Sequence, residues 1–558
     1  MRSDATIAYF SMEIALRNEI PTYSGGLGIL AGDTVRAAAD LGLPLVGVTL
    51  ASRAGYFRQE LRDGTQHELP DPWDPSRWGS RLEAKVAVPV EGRLVWVGGW
   101  AYLLEGHMGG RIPIILLDTD LDENAPDDRR LTDHLYGGDE AYRLKQEIVL
   151  GIGGARMLQA LGFSIRQYHM NEGHAALLAL ELMRRRAYAP EHIQPGDPPY
   201  DLQRVRAECC FTTHTPVDAG QDRFRYELAQ RILGDFVDLP ALKRVAGDDC
   251  LNMTRLALNL SDYVNGVAKR HAETSRGLFP GYRVHAITNG VHPFTWTAPS
   301  FIQLYNRALP GWCHEPELLM RAECCISDQA IWSAHETAKR HLIDTVQARS
   351  GVELEAGVAT IGFARRMTAY KRPDLLFSDL ARLRKLSAGT PLQVVLAGKA
   401  HPRDEDGKRL IKLLHEHMQA LAPAVRLAYL PNYDMDTALA MVSGVDLWLN
   451  TPLPPLEASG TSGMKAAFNG VPSFSVLDGW WLEGCIEGVT GWAIGRADAV
   501  SDGHAEALYG KLATTILPLY YSDRTGWIAV MKGAISRNAS FFNSHRMMRR
   551  YVAEAYVR

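Results

Sequence analysis

Short apolar runs recur along the chain, and stretches with apolar residues at helical spacing lie between them. Ile112 to Leu117 stops at Asp118, Leu392 to Ala397 at Gly398 and Lys399, and Val445 to Leu449 at Asn450. Such runs predict buried strands of parallel sheets, with functional residues just past their carboxyl ends. Leu410, Ile411, Leu414, Met418 and Leu421 fall on one side of a helix predicted from Asp404 to Leu421. Alternation of the two patterns predicts an α/β fold. The turn-rich Thr288 to Pro299 (TNGVHPFTWTAP) places a boundary near Asn289, between two α/β halves. From Phe541 to Tyr556, Met547, Met548, Tyr551, Val552 and Ala555 lie toward one side, which predicts an amphipathic helix in need of an apolar surface.

A chain of 558 residues is too long for one hydrophobic core. The length alone suggests about three or four domains, though two large α/β domains would also account for it. With 46% hydrophobic and 22% charged residues, the composition is that of a globular enzyme. The net charge of −4 provides no broad basic field, so neither nucleic acid nor a membrane surface is an expected partner. An anionic ligand must then be held by a local group of Lys and Arg. The seven cysteines include two adjacent pairs but no CxxC, which suggests reduced thiols and neither a zinc site nor a disulfide framework. Met1 to Ile7 has no signal-peptide pattern and no apolar run is long enough for a membrane span, so a cytoplasmic protein is expected.

The most informative stretch is Glu457 to Gly470 (EASGTSGMKAAFNG). It follows a predicted strand and opens a helix near Gly463, where small residues let backbone N–H groups approach a ligand and the helix start attracts anions. By position, Lys465 is either a solvated lysine on a strand-to-helix connection or a lysine beside a bound phosphate. A second stretch, Ile361 to Asp374 (IGFARRMTAYKRPD), gathers Arg365, Arg366, Lys371 and Arg372 beyond an apolar run, and also fits a solvated basic helix start. Gly25 to Gly28 (GGLG) leads into a helix with Asp33 and Arg36, and alone is an ordinary glycine turn. His214 in TTHTP, Asn289 in TNG and Tyr433 in PNY each follow an apolar run or a turn. His169 to His174 (HMNEGH) lacks further visible ligands for a metal, and no metal site is expected.

These blocks resemble the glycogen and α-glucan phosphorylase family. EASGTSGMK is similar to its pyridoxal-phosphate lysine motif EASGTGNMK, and Leu477-Asp478-Gly479 to its following LDG. The resemblance implies pyridoxal 5'-phosphate as cofactor, held by Lys465 as a Schiff base. Thr461, Ser462 and Gly463 would hold the cofactor phosphate, with Arg365 standing where the family commonly has lysine. Glu457, Ser459 and Gly460 would face the glucosyl unit. Arg366 and Lys371, in the block resembling KRIHEYKR, would grip the substrate phosphate. The glycine loop, through Gly26 and Leu27, would face both phosphates. His214 would contact the sugar, its carbonyl facing the developing oxocarbenium ion, and Asn289 would be a further sugar contact. Trp296 and Tyr433 would lie near the cofactor. Asn171 and His174, in the segment resembling NDTHP, would line the acceptor end, where Glu172 replaces the family's Asp and Ala175 its Pro. Thr368 stands for the motif's His, and Ala15 for a common aromatic residue.

The implied architecture is GT-B-like, with two Rossmann-type domains (1–290 and 291–530) facing a deep cleft and a C-terminal helix (531–558) crossing back. The implied reaction is reversible phosphorolysis of a terminal α-1,4-linked glucosyl unit, giving α-glucose 1-phosphate with retention. Its partners would be α-glucan or maltodextrin, inorganic phosphate and glucose 1-phosphate, with a homodimer expected from the family alone. The chain starts almost at the first matching block, so the animal enzymes' regulatory extension, phosphorylation control and nucleotide activation are not expected. Two other readings compete: a retaining nucleotide-sugar glycosyltransferase of GT-B fold, and a non-catalytic glucan-binding protein.

Overall fold

Thirteen parallel strands, all but the last of the first sheet largely buried, are gathered into two sheets and form the frame of the computed structural model, which describes residues 4–189, 191, 193, 199–215, 221–496 and 503–557. The first sheet runs in parallel through Ile7–Ser11, Leu45–Leu50, Arg111–Asp118, Gln167–Asn171, Cys209–Thr212, Tyr263–Gly266 and His285–Ala286. Counted along the chain, these seven strands lie in the order 3-2-1-4-5-6-7. The second sheet is parallel throughout and has the order 3-2-1-4-5-6 for Ala359–Ala364, Leu392–Ala397, Arg426–Leu430, Leu447–Asn450, Ser473–Val476 and Gly491–Ile494. Both are doubly wound sheets, in which the strand order reverses between strands 1 and 4 and opens a crevice at their carboxyl ends.

Ile7–Ser11 lies beside Gln167–Asn171 at the first such point, and Ala359–Ala364 beside Leu447–Asn450 at the second. The segments leaving these four strands carry Glu13 and the glycine loop, Asn171 to His174, Arg365 to Lys371, and Glu457 to Lys465. The expected strands and helix are present, the helix as Glu405–Leu421 with the Asp404 carboxylate capping the Gly407 N–H. Two features go beyond the sequence expectation. Arg93–Glu105 pairs antiparallel with Arg111–Asp118 and extends the first sheet, and Arg58–Arg62 forms a hairpin with Thr65–Leu69.

Apolar side chains cover both faces of each sheet. Residues 26–40 share a core with one face of the first sheet, while residues 301–542 contribute to the cores around the second. The chain passes between the two bodies twice, and the passages are bonded to each other. Val291 N–H donates to Phe542 O at 3.1 Å, and Ser544 N–H to Val291 O at 2.9 Å. The terminal helix starts at Ser544, three residues later than Phe541, because Asn543 caps it through the Arg546 N–H. Met547, Met548, Tyr551, Ala555 and Tyr556 then bury themselves against the helix Gly26–Asp40 and the first sheet. No helix among the described residues is long and apolar enough to cross a membrane.

Candidate active site

Lys465 lies in the short helix Ser462–Ala467 that follows the strand Leu447–Asn450. Its backbone N–H bonds to Thr461 O at 3.2 Å, and its ammonium sits 3.6 Å from the centre of the Trp296 ring. The Trp296 indole N–H in turn donates to Asp33, 2.9 Å from each carboxylate oxygen, so Lys465 is held against the helix that begins at the glycine loop. Burial lowers the Lys465 pKa to about 8, with Asp33 opposing the shift and Arg36 adding to it. A buried lysine in that range has a usable free amine near neutral pH. Packing also constrains Gly463. A Cβ there would stand 2.7 Å from both the Trp480 ring and Ser473 Oγ, so the glycine serves packing. Ser462 Oγ accepts the Trp448 indole N–H at 3.0 Å.

Glu457 joins this segment to the basic loop. One of its carboxylate oxygens accepts from Arg365 and from Lys371, both at 2.6 Å. Burial opposes its ionisation, yet Arg365 and then Lys371 hold its pKa down to about 2. Asp478 accepts the Glu457 N–H at 2.9 Å, and burial raises its own pKa to about 6. Gly460 turns at φ +75°, a conformation that favours glycine, and lets the chain fold back over Glu457. Ser459 Oγ is buried without a hydrogen-bond partner among the described residues, as are Asn450 Oδ1 and Thr368 Oγ1. Tyr433 packs between the two cores of the second sheet, and burial raises its phenol pKa.

Arg366 projects from the same loop and is exposed, with its guanidinium beside Gly25. The glycine-loop N–H groups of Ser24 and Gly25 are engaged by Glu13 Oε2 at 2.6 and 3.2 Å. Tyr136 donates to the other Glu13 oxygen at 2.8 Å. A Cβ on Gly28 would meet that carboxylate at 2.6 Å, whereas one on Gly26 would meet nothing within 4 Å. Glu13, Leu27, Tyr136, Arg366 and His401 line a cavity of about 540 Å³ whose walls come from loops of both sheets.

His214 and His174 also line that cavity. His214 Nε2 lies 2.6 Å from Asn171 Oδ1, and the Asn171 amide donates to Ser11 Oγ at 3.0 Å. That amide orientation leaves Oδ1 to accept, so His214 donates through Nε2. Burial lowers its pKa to about 3 and keeps the ring neutral. Glu172, at φ 75°, accepts from the His214 N–H at 2.8 Å, the Thr215 hydroxyl at 3.0 Å and the Gly173 N–H at 3.0 Å. The extra methylene relative to Asp thus reaches across to the next strand and fixes the His214 loop. His174 Nε2 is 3.4 Å from Asp222, which Arg143 also grips at 3.0 Å. Asn289 is buried with Oδ1 unpartnered among the described residues. Of the TTHTP segment, Pro216 lies outside the described residues.

The structure therefore pairs Lys465 with Trp296 and Glu457 with Arg365 and Lys371, and lines one shared cavity with Arg366, Leu27, His214 and His174. Sequence reading missed Asp33, Tyr136, Arg143 and Asp222 as members. Their partners are distant in the chain and no local pattern marks them.

This pairing of doubly wound sheets and lysine-centred cluster defines a class, and comparison with known proteins identifies it: the chain belongs to the carbohydrate phosphorylase family, whose profile matches residues 14–97 and 217–487. The match takes in the glycine loop, the basic loop and Lys465, and leaves out Asn171, His174 and His214. The maltodextrin phosphorylase of Thermococcus litoralis is 39% identical over 99% of this chain and 70% of its own length. The glycogen phosphorylase of Mycobacterium tuberculosis is 38% identical over 99% of this chain and 70% of its own length. An uncharacterized protein of Methanocaldococcus jannaschii is 30% identical over 98% of this chain and 99% of its own length.

Proposed function

We propose that the protein is a pyridoxal-phosphate-dependent α-glucan phosphorylase of GT-B architecture. On this reading it releases α-glucose 1-phosphate reversibly from the end of an α-1,4-glucan, with retention. The observation that carries the reading is the buried Lys465 amine, lowered to about pKa 8, on the segment that also supplies Glu457 to Arg365 and Lys371. The residues present fit the cofactor. Lys465 would hold its aldehyde carbon, with Trp296 and Tyr433 near it. Arg365, Thr461 and the Ser462 and Gly463 amides would hold its phosphate. When bound, the cofactor supplies a phosphate group that acts as an acid in place of its usual electron-sink chemistry.

The chain's own residues position the substrates. Arg366 and Lys371 would bind inorganic phosphate, with the Gly26 and Leu27 amides at the helix start as further donors. Lys371 shares Glu457 with Arg365, so a phosphate arriving there competes for a cation whose charge is already half engaged. Glu457, Ser459, Gly460 and Asn289 would orient the glucosyl unit, and the unpartnered Ser459 and Asn289 oxygens suit sugar hydroxyls. His214, neutral and oriented by Asn171, would accept a sugar hydroxyl through Nδ1 while its carbonyl faces positive charge developing at the anomeric carbon. His174 and Asn171 would meet the acceptor chain. Closure of the cleft would exclude water, whose attack would give free glucose.

Glucose 1-phosphate release from a ladder of maltooligosaccharides, with phosphate and with or without added pyridoxal phosphate, tests the reading. Cofactor-dependent release supports it. Activity on a nucleotide sugar with no phosphorolysis would point to a glycosyltransferase, and glucan binding without either activity to a binding protein.

A further inference from the structure

Away from the cleft, three side chains with metal-ligating atoms meet where the chain passes between its two bodies. Asp40 ends the helix that starts at the glycine loop. His292 follows the first passage, and His545 lies in the first turn of the helix after the second. His292 Nε2 is 2.8 Å and His545 Nε2 3.1 Å from the same oxygen, Asp40 Oδ2. One ligand atom from each residue lies within 4.8 Å of the others. The three side chains are 3%, 4% and 1% exposed for Asp40, His292 and His545, so water does not solvate the convergence.

We propose that Asp40, His292 and His545 bind one divalent transition-metal ion of the zinc class, which ties the two inter-body passages to the first helix. Two imidazoles and a carboxylate make an N/O donor set suited to such an ion, with a fourth position left for water. Metal–ligand bonds of about 2.0–2.1 Å set tetrahedral ligand atoms about 3.3 Å apart. The two His–Asp separations, 2.8 and 3.1 Å, lie just below that value, and the third is within 4.8 Å.

The surroundings fit as well. His292 already turns Nε2 toward Asp40. Its Nδ1 is 2.7 Å from Thr295 Oγ1 and receives the Thr295 N–H at 3.3 Å, so giving Nε2 to a metal would move the ring proton to Nδ1, where Thr295 Oγ1 can accept it in place of that N–H contact. Met108 N–H donates to the other Asp40 oxygen at 3.3 Å and orients the carboxylate. His545 Nδ1 is buried with no partner among the described residues, so no hydrogen bond there opposes the metal-binding tautomer. No Lys or Arg ion pair neutralises Asp40 among the described residues, and a cation would supply the missing charge. The cluster lies outside the proposed active site, and its test does not depend on phosphorolysis.

The untagged full chain, stripped with chelator, is titrated with Co²⁺. The proposal expects one Co²⁺ per chain, visible absorption of a four-coordinate site, displacement by Zn²⁺, and a higher unfolding midpoint with metal. Asp40→Asn and His292→Gln should each lose the absorption while retaining the wild-type far-UV circular dichroism, and His341→Gln, at an exposed position, should keep it. Should either cluster variant fail to fold, the wild-type spectrum and stoichiometry still decide. No stoichiometric uptake by the wild-type chain, or equal uptake by folded Asp40→Asn and His292→Gln, would overturn the site and leave a hydrogen-bonded clamp.

Discussion

At the scale of single residues, Lys465 and Glu457 carry opposite electrostatic signatures. Burial depresses Lys465 to about 8, so reductive trapping of pyridoxal phosphate on it should rise with pH and be half-maximal near that value, as read by peptide mass spectrometry. A half-point near that of an exposed lysine would contradict the burial argument. In the cofactor-free chain the unfolded state binds more protons than the native state between about pH 8 and about 10.5. Lys465 therefore adds stability as pH rises across that window. Glu457 works in the same direction at lower pH, because its pKa too is held below the unfolded value, at about 2. Its contribution is present above the usual Glu pKa of about 4.3 and fades as pH falls through 2. Glu457→Gln leaves two buried cations without their partner, and denaturant unfolding should show a loss of about 3–5 kcal/mol.

Among the elements, the helix Gly26–Asp40 separates two kinds of glycine. Gly28→Ala drives a Cβ against Glu13 and Tyr23 at 2.6 Å, so it should cost about 1–3 kcal/mol in unfolding and disturb the loop. Gly26→Ala meets nothing within 4 Å, so the fold should tolerate it and any change should appear as a higher KM for phosphate. The strand Leu392–Ala397 and the helix Glu405–Leu421 were legible in the sequence because each pattern is sharply bounded, by Gly398 and by the Asp404 cap. The antiparallel extension at Arg93–Glu105 was not, because its exposed and buried positions answer to three partner strands and give no clean period. The site divides in the same way. Lys465 and the Arg365 to Lys371 loop stood out as contiguous motifs. Tyr136 bonds Glu13 across 123 residues and Asp33 bonds Trp296 across 263, and no local spacing reports such contacts.

For the whole molecule, the hairpin of the first body is fastened to the second by side-chain amides. Gln59 donates to Gly398 O at 2.9 Å and exchanges bonds with Asn432, while Gln66 donates to Ala400 O at 3.0 Å and accepts the Ala400 N–H at 2.9 Å. Replacing both glutamines by leucine strands buried backbone groups, each at about 1–3 kcal/mol, and should loosen the cleft. On the proposed function, free glucose should then rise several-fold relative to glucose 1-phosphate, and an unchanged ratio would show that the hairpin does not govern closure. The central claim rests on one lysine between the two sheets. Its most direct test is glucose 1-phosphate release from maltoheptaose and phosphate by the wild-type chain and by Lys465→Ala, both supplied with pyridoxal phosphate. The account predicts release by the wild-type chain and a loss of at least about 100-fold in the variant, a residue effect of the size seen for groups that serve the chemical step. Equal release by the two, or none by the cofactor-loaded wild-type chain, would contradict it.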